Sequence, residues 1–175
     1  MEIINKVAQS GLIEFNLEDY YPKGERILFD IKKYLTTLSL GEGMGEAFIL
    51  KEKDFREFVK NEDWSKYKDK FVALTCTADA VVPTWAYMLL TTALEPFAKK
   101  TVFGDLKTLE TVLFTEVLSK IDSEKYKDQR VVIKGCSNLP VPESAYVEIT
   151  RILRPIAKSI MYGEPCSTVP LYKKK

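Results

Sequence analysis

Three cysteines, Cys76, Cys136 and Cys166, are the residues of this chain best suited to covalent or metal chemistry. Histidine is absent from the sequence, which removes Ser-His-Asp and Cys-His constellations and every imidazole ligand together. What remains is thiolate, carboxylate, lysine, tyrosine and hydroxyl chemistry. Thiolate is the form that ligates zinc, copper(I) and iron–sulfur iron. Three thiolates leave one tetrahedral position, for which Asp79, Asp105 and Glu164 are the candidate carboxylates, with water or a partner's thiolate as alternatives. The cysteines are widely spaced and form no CxxC pair, so a metal or iron–sulfur site depends wholly on the fold bringing them together. A second use of the same residues is nucleophilic, with Cys76 or Cys136 activated by a helix N-terminus and by Lys134 in place of a histidine base. A third is inert, because cysteine is among the most buried residue types and serves as a small apolar filler.

The elements that must position these thiols show self-similarity. The stretch 66–104 aligns with 125–163 at 15 identical positions and without a gap. Lys66-Tyr67-Lys68-Asp69 meets Lys125-Tyr126-Lys127-Asp128, Val82-Pro83 meets Val141-Pro142, and Ala86-Tyr87 meets Ala145-Tyr146. The spacing predicts a duplicated βαβ unit. Each copy has a short apolar strand (Phe71–Leu74, Val131–Ile133), a polar loop with one cysteine, a helix (83–97, 142–157) started by a proline, and a second strand (101–103, 160–162) closed by Gly104-Asp105 or Gly163-Glu164. Copy one runs on into a helix at 106–121. Copy two stops in Pro165–Pro170 and a short tail. Alternation of this kind predicts an α/β protein with a mostly parallel sheet and helices on both faces. The loops after parallel strands line one sheet edge, where ligands bind. All three cysteines fall in such loops, and neighbouring first strands would let Cys76 face Cys136.

The segment 1–65 differs. Ile27–Phe29 and Ala47–Leu50 read as strands, and 53–60 as a helix. Gly41, Gly43 and Gly45 lack the spacing and the lysine of a phosphate loop and read as a plain connection. The expectation is a single domain over 1–175, with 1–65 as an extension packed on the sheet and 66–175 as the duplicated core.

Composition narrows the function classes. The chain of 175 residues is 46% hydrophobic and 29% charged, as in ordinary globular chains. Lysine plus arginine is 26 against 25 aspartate plus glutamate, a net charge of +1. That balance provides no field for nucleic acid or an anionic membrane. No apolar run of about 18 residues is present to span a bilayer. With no signal-peptide pattern, the expected compartment is the cytoplasm, where thiols stay reduced.

Several strings carry a resemblance. Leu17-Glu18-Asp19-Tyr20-Tyr21-Pro22-Lys23-Gly24-Glu25-Arg26, Lys51–Phe58, Ala73-Leu74-Thr75-Cys76, Val82-Pro83-Thr84-Trp85-Ala86-Tyr87, Lys134-Gly135-Cys136-Ser137 and Gly163–Pro170 are similar to the bacterial family called domain of unknown function 2480. The resemblance covers nearly the whole chain and implies no activity. It does imply a link to iron–sulfur cluster assembly of the sulfur-mobilisation type. The leading expectation is therefore an accessory without catalytic turnover that binds zinc or an iron–sulfur species through Cys76, Cys136 and Cys166, with assembly proteins as partners. The rivals are a thiol enzyme of sulfur or acyl transfer, and a homodimeric interaction module without metal that uses an uncovered sheet edge or aromatic helix face.

Overall fold

A computed structural model describes residues 11–135, 138–164 and 167–175. The chain divides into two compact units. One is Lys23–Leu109; the other joins Met1–Pro22 to Glu110–Lys175.

The Lys23–Leu109 unit holds a parallel sheet made, in spatial order, from β2 (Arg26–Asp30), β5 (Phe71–Thr75) and β6 (Lys100–Phe103). The central strand β5 is apolar throughout Phe71–Leu74 and buried, the pattern of a strand covered on both faces. Helix α2 (Thr84–Leu94) buries Ala86, Leu90 and Leu94, one position per helical turn. Helix α1 (Glu52–Asn61) contributes Phe55. These residues close one core with Phe29, Ile31, Trp64, Val72 and Leu74. Strands β3 (Thr36–Ser39) and β4 (Glu46–Ile49) form a separate antiparallel hairpin. The glycine cluster sits in its turn, with Gly41, Gly43 and Gly45 all at positive φ.

The sheet of the other unit is built, in spatial order, from β1 (Leu12–Phe15), β7 (Arg130–Ile133), β8 (Ser159–Glu164) and β9 (Ser167–Lys173). Its first three strands are parallel, and β9 returns antiparallel to β8. Helix α4 (Glu143–Leu153) buries Ala145, Ile149 and Leu153, the positions that match Ala86, Leu90 and Leu94 of α2. The core here includes Phe15, Leu17, Phe114, Val131, Ile133 and Ile160. Helix α3 (Leu106–Leu118) carries the boundary between the units.

Both units run 3-10 turn, strand, helix, strand. The turns are Trp64–Tyr67 and Ser123–Tyr126. Each is followed by an aspartate in the left-handed region, Asp69 at φ 60° and Asp128 at φ 54°, a conformation that short polar side chains tolerate. The Asp69 N–H donates to Phe97 O at 3.1 Å, and the Asp128 N–H to Ile156 O at 2.9 Å.

Four expectations change. The architecture is mixed α/β, but the described strands form three sheets, one parallel, one mixed and one antiparallel, instead of one mostly parallel sheet. Strands β5 and β7, the first strands of the two repeats, are not sheet neighbours. Each pairs instead with a strand from the N-terminal segment, Phe29 with Leu74 and Phe15 with Ile133. The segment 1–65 therefore supplies one strand to each of two sheets, because main-chain pairing is satisfied by whichever strand the fold brings alongside. The segment after Glu164, read as the stop of copy two and a short tail, contains β9. Pro170 is accommodated opposite Met161, at the register shift between Ile160 and Met161.

Candidate functional site

The C-terminal ends of β2, β5 and β6 bring together Asp30, Cys76 and Gly104-Asp105 in the Lys23–Leu109 unit. Cys76 follows β5 directly. It is half-buried against the core, with Sγ 3.7 Å from Ala78 O. Thr77, the next residue, is held by Asp30. Its N–H donates to Asp30 Oδ1 at 3.1 Å, and its hydroxyl to Oδ2 at 2.6 Å. Asp30 also accepts the Lys32 N–H at 3.0 Å, capping the 3-10 turn Ile31–Tyr34. Burial works against the Asp30 charge, but hydrogen bonds from Thr77 and Lys32 outweigh it and hold the carboxyl below its ordinary value.

Tyr87, on the first half of α2, is half-buried. Burial pushes its hydroxyl up, and its electrostatic interactions with the neighbouring Cys76 and Asp30 add to the effect. The Tyr87 ring meets Phe103 edge-on, 5.0 Å between centroids and 85° between planes. Beyond them a groove of about 590 Å³ runs along α2, lined by Thr84, Tyr87, Met88, Thr91, Thr92 and Phe103. Met88 is 64% exposed and Phe103 69%, so two large apolar side chains stand in solvent at one place.

The matching positions of the other unit have the same character. Val147 is 71% exposed, and Tyr146 meets Tyr162 edge-on at 5.8 Å and 80°. The loop after β7 is also held by an acid from the N-terminal region: Glu18 Oε1 accepts the N–H groups of Asn138 and Leu139.

The candidate ligands fare differently. Asp79 is exposed in the loop after Cys76. Asp105 caps α3, accepting the Thr108 N–H and hydroxyl, both at 2.7 Å, and these bonds lower its carboxyl pKa. Glu164 ends β8, and its Oε1 is buried with no hydrogen-bond partner among the described residues. Cys136 and Cys166 lie outside the described residues. Among the described residues, no three of Cys, Asp and Glu form a group able to hold a metal ion, so Cys76, Asp79, Asp105 and Glu164 do not by themselves fit a metal centre. Lys134 faces Glu14, with Nζ 3.9 Å from Oε1.

Sequence reasoning missed Asp30 and Glu18. A local signal was present only for the capping role of Asp30, not for its bond to Thr77 or for Glu18. Ile13-Glu14-Phe15-Asn16-Leu17 and Ile27-Leu28-Phe29-Asp30-Ile31 share a pattern, each followed by a tyrosine, Tyr20 or Tyr34. Asn16 and Asp30 both cap a 3-10 turn with the side chain.

Comparison with known proteins adds the family. The sequence model described as protein of unknown function (DUF2480) matches residues 1–174, and the chain belongs to that family. No curated protein and no solved structure matches. No helix among the described residues is long and apolar enough to cross a membrane.

Proposed function

We propose that this DUF2480 member is a protein-interaction module, and that the groove along α2 is its working surface in the Lys23–Leu109 unit. One observation carries the reading: Met88 and Phe103 stand exposed on a groove with few polar atoms. Contiguous apolar surface of this kind marks a contact site, since its burial is the main gain on association. The threonines on its rim, Thr84, Thr91 and Thr92, provide the polar border usual at such contacts. The recurrence of exposed Val147 beside Tyr146 and Tyr162 supports an internal duplication in which each copy presents a related face.

The test is a photoreactive phenylalanine analogue placed at residue 88, with the same analogue at exposed Lys53 as control. The expected result is a discrete polypeptide adduct from position 88 and none from position 53. Equal labelling from both positions, or none from 88, overturns the reading.

A second reading is favoured by Glu164. A buried carboxylate oxygen without a partner among the described residues, two positions before Cys166, suits a cationic ligand. It supports the zinc or iron–sulfur reading of the cysteines, with assembly proteins as partners. Metal analysis of protein purified without oxygen tests it.

A further inference from the structure

The partner that the β6 edge of this surface fits is a second copy of the chain, and this inference rests on the interaction-module reading. Gly104 N–H donates to Leu74 O at 2.8 Å. In a parallel ladder alternate residues face the same neighbour, so Val102 and Gly104 direct their main-chain groups to β5. Those of Thr101 and Phe103 point the other way, to a side on which no described strand pairs.

Three observations identify the occupant. The matching strand of the other unit, β8, has that side covered by an antiparallel strand, with Ile160 opposite Tyr172 and Tyr162 opposite Val169. The other outer edges of the two larger sheets carry features that discourage pairing. Strand β9 has Pro170 and a bulge, β1 has Glu14, and β2 has Arg26 and Asp30. From Thr101 to Phe103, β6 has no charge and no proline. Finally, β6 complements itself. Across a twofold axis perpendicular to the sheet, opposed residues must share a face, so the register centres on one residue. With Val102 on the axis, Thr101 lies opposite the partner's Phe103, and Lys100 lies opposite the partner's Gly104. The outward N–H and C=O groups of Thr101 and Phe103 then make four main-chain hydrogen bonds, no lysine faces a lysine, and an aromatic packs over a β-branched residue.

We propose that two copies of this chain join through antiparallel pairing of β6 about Val102, which continues the β2-β5-β6 sheet into a six-stranded one with Met88 and Phe103 flanking the seam. The contact is smaller than a standard interface, so the association belongs to the weak, reversible class.

Amide hydrogen exchange on the wild-type protein, followed across dilution, reads the pairing directly. Thr101 and Phe103 amides are expected to exchange slowly at high concentration and at least tenfold faster when dilute, while those of Val102 and Gly104 do not change. In parallel, light scattering is applied to Val102→Lys, Val102→Glu and their equimolar mixture. Each variant alone is expected to be monomeric, and the mixture dimeric. Concentration-independent exchange at Thr101 and Phe103 overturns the inference whether or not the variants fold. If Met88→Glu abolishes self-association while those amides never respond to dilution, the edge pairing fails and the interaction module stands. If those amides never respond to dilution, Met88→Glu changes nothing and position 88 yields no polypeptide adduct, both fail.

Discussion

Asp30 and Thr77 are joined by two hydrogen bonds across 47 residues of sequence, one from the main-chain N–H and one from the hydroxyl. The carboxylate that ends β2 thereby fixes the first turn of the loop that carries Cys76. Removing it leaves the Thr77 groups to water. Asp30→Ala is expected to cost about 1 kcal/mol, the net worth of partly exposed hydrogen bonds to a carboxylate. Urea denaturation of the variant checks the magnitude.

The same carboxyl imposes a pH dependence with a definite sign. Its folded-state pKa lies below the unfolded value of about 3.9. Its contribution is therefore complete above that value and is lost as pH falls through the lower folded value. As pH falls below about 4 and through the lower folded value, the stability gap between wild type and Asp30→Asn should close. Denaturation midpoints at several acidic pH values measure it, and a constant gap would contradict the assignment.

Gly163 sits at φ 122°, where a Cβ would lie 2.5 Å from the main-chain oxygen of Ser167 in β9. Backbone cannot retreat as a flexible side chain would. Gly163→Ala is expected to destabilise by about 2 kcal/mol or more through strain and displacement of β9. Thermal melting shows the loss.

Leu90 is fully buried between α2 and the sheet, in the same cluster as Trp64. Leu90→Ala is expected to cost about 2–5 kcal/mol. Tryptophan emission follows its unfolding, because both tryptophans, Trp64 and Trp85, belong to the Lys23–Leu109 unit.

For the thiolate reading, elemental analysis of protein prepared without oxygen is expected to give near-stoichiometric zinc or iron. The C76S/C136S/C166S variant should contain neither. A folded, metal-free wild type removes that reading and leaves the interaction module.

The βα order from residue 70 was legible from the apolar run Phe71–Leu74 and from Trp85, Met88, Leu89, Thr92 and Phe97 near helical spacing, but the face that α2 buries is Ala86, Leu90 and Leu94, and Met88 is exposed. The helices proved shorter than their apolar patterns. Helix α2 ends at Leu94, ahead of Pro96, and α4 at Leu153, ahead of Pro155. The sheet partners were not legible, because pairing Phe15 with Ile133 is a non-local choice that no local period records. Strand β3, Thr36–Ser39, is short and mostly polar and is defined only by its partner β4. The position of Cys76 at a strand end could be read directly. Asp30 could not, since its partner Thr77 becomes visible only when β2 and β5 lie side by side.

The nested order of the chain has a consequence during synthesis. Strand β1 leaves the ribosome first, yet its partner β7 follows more than a hundred residues later. At about 5–20 residues per second, β1 waits roughly 6–24 s for its sheet. Everything that Lys23–Leu109 needs is made within that interval. The inner unit thus has its full set of strands while Leu12–Phe15 still lacks its partner, so the sheet of the outer unit closes only after the inner unit is wholly synthesised.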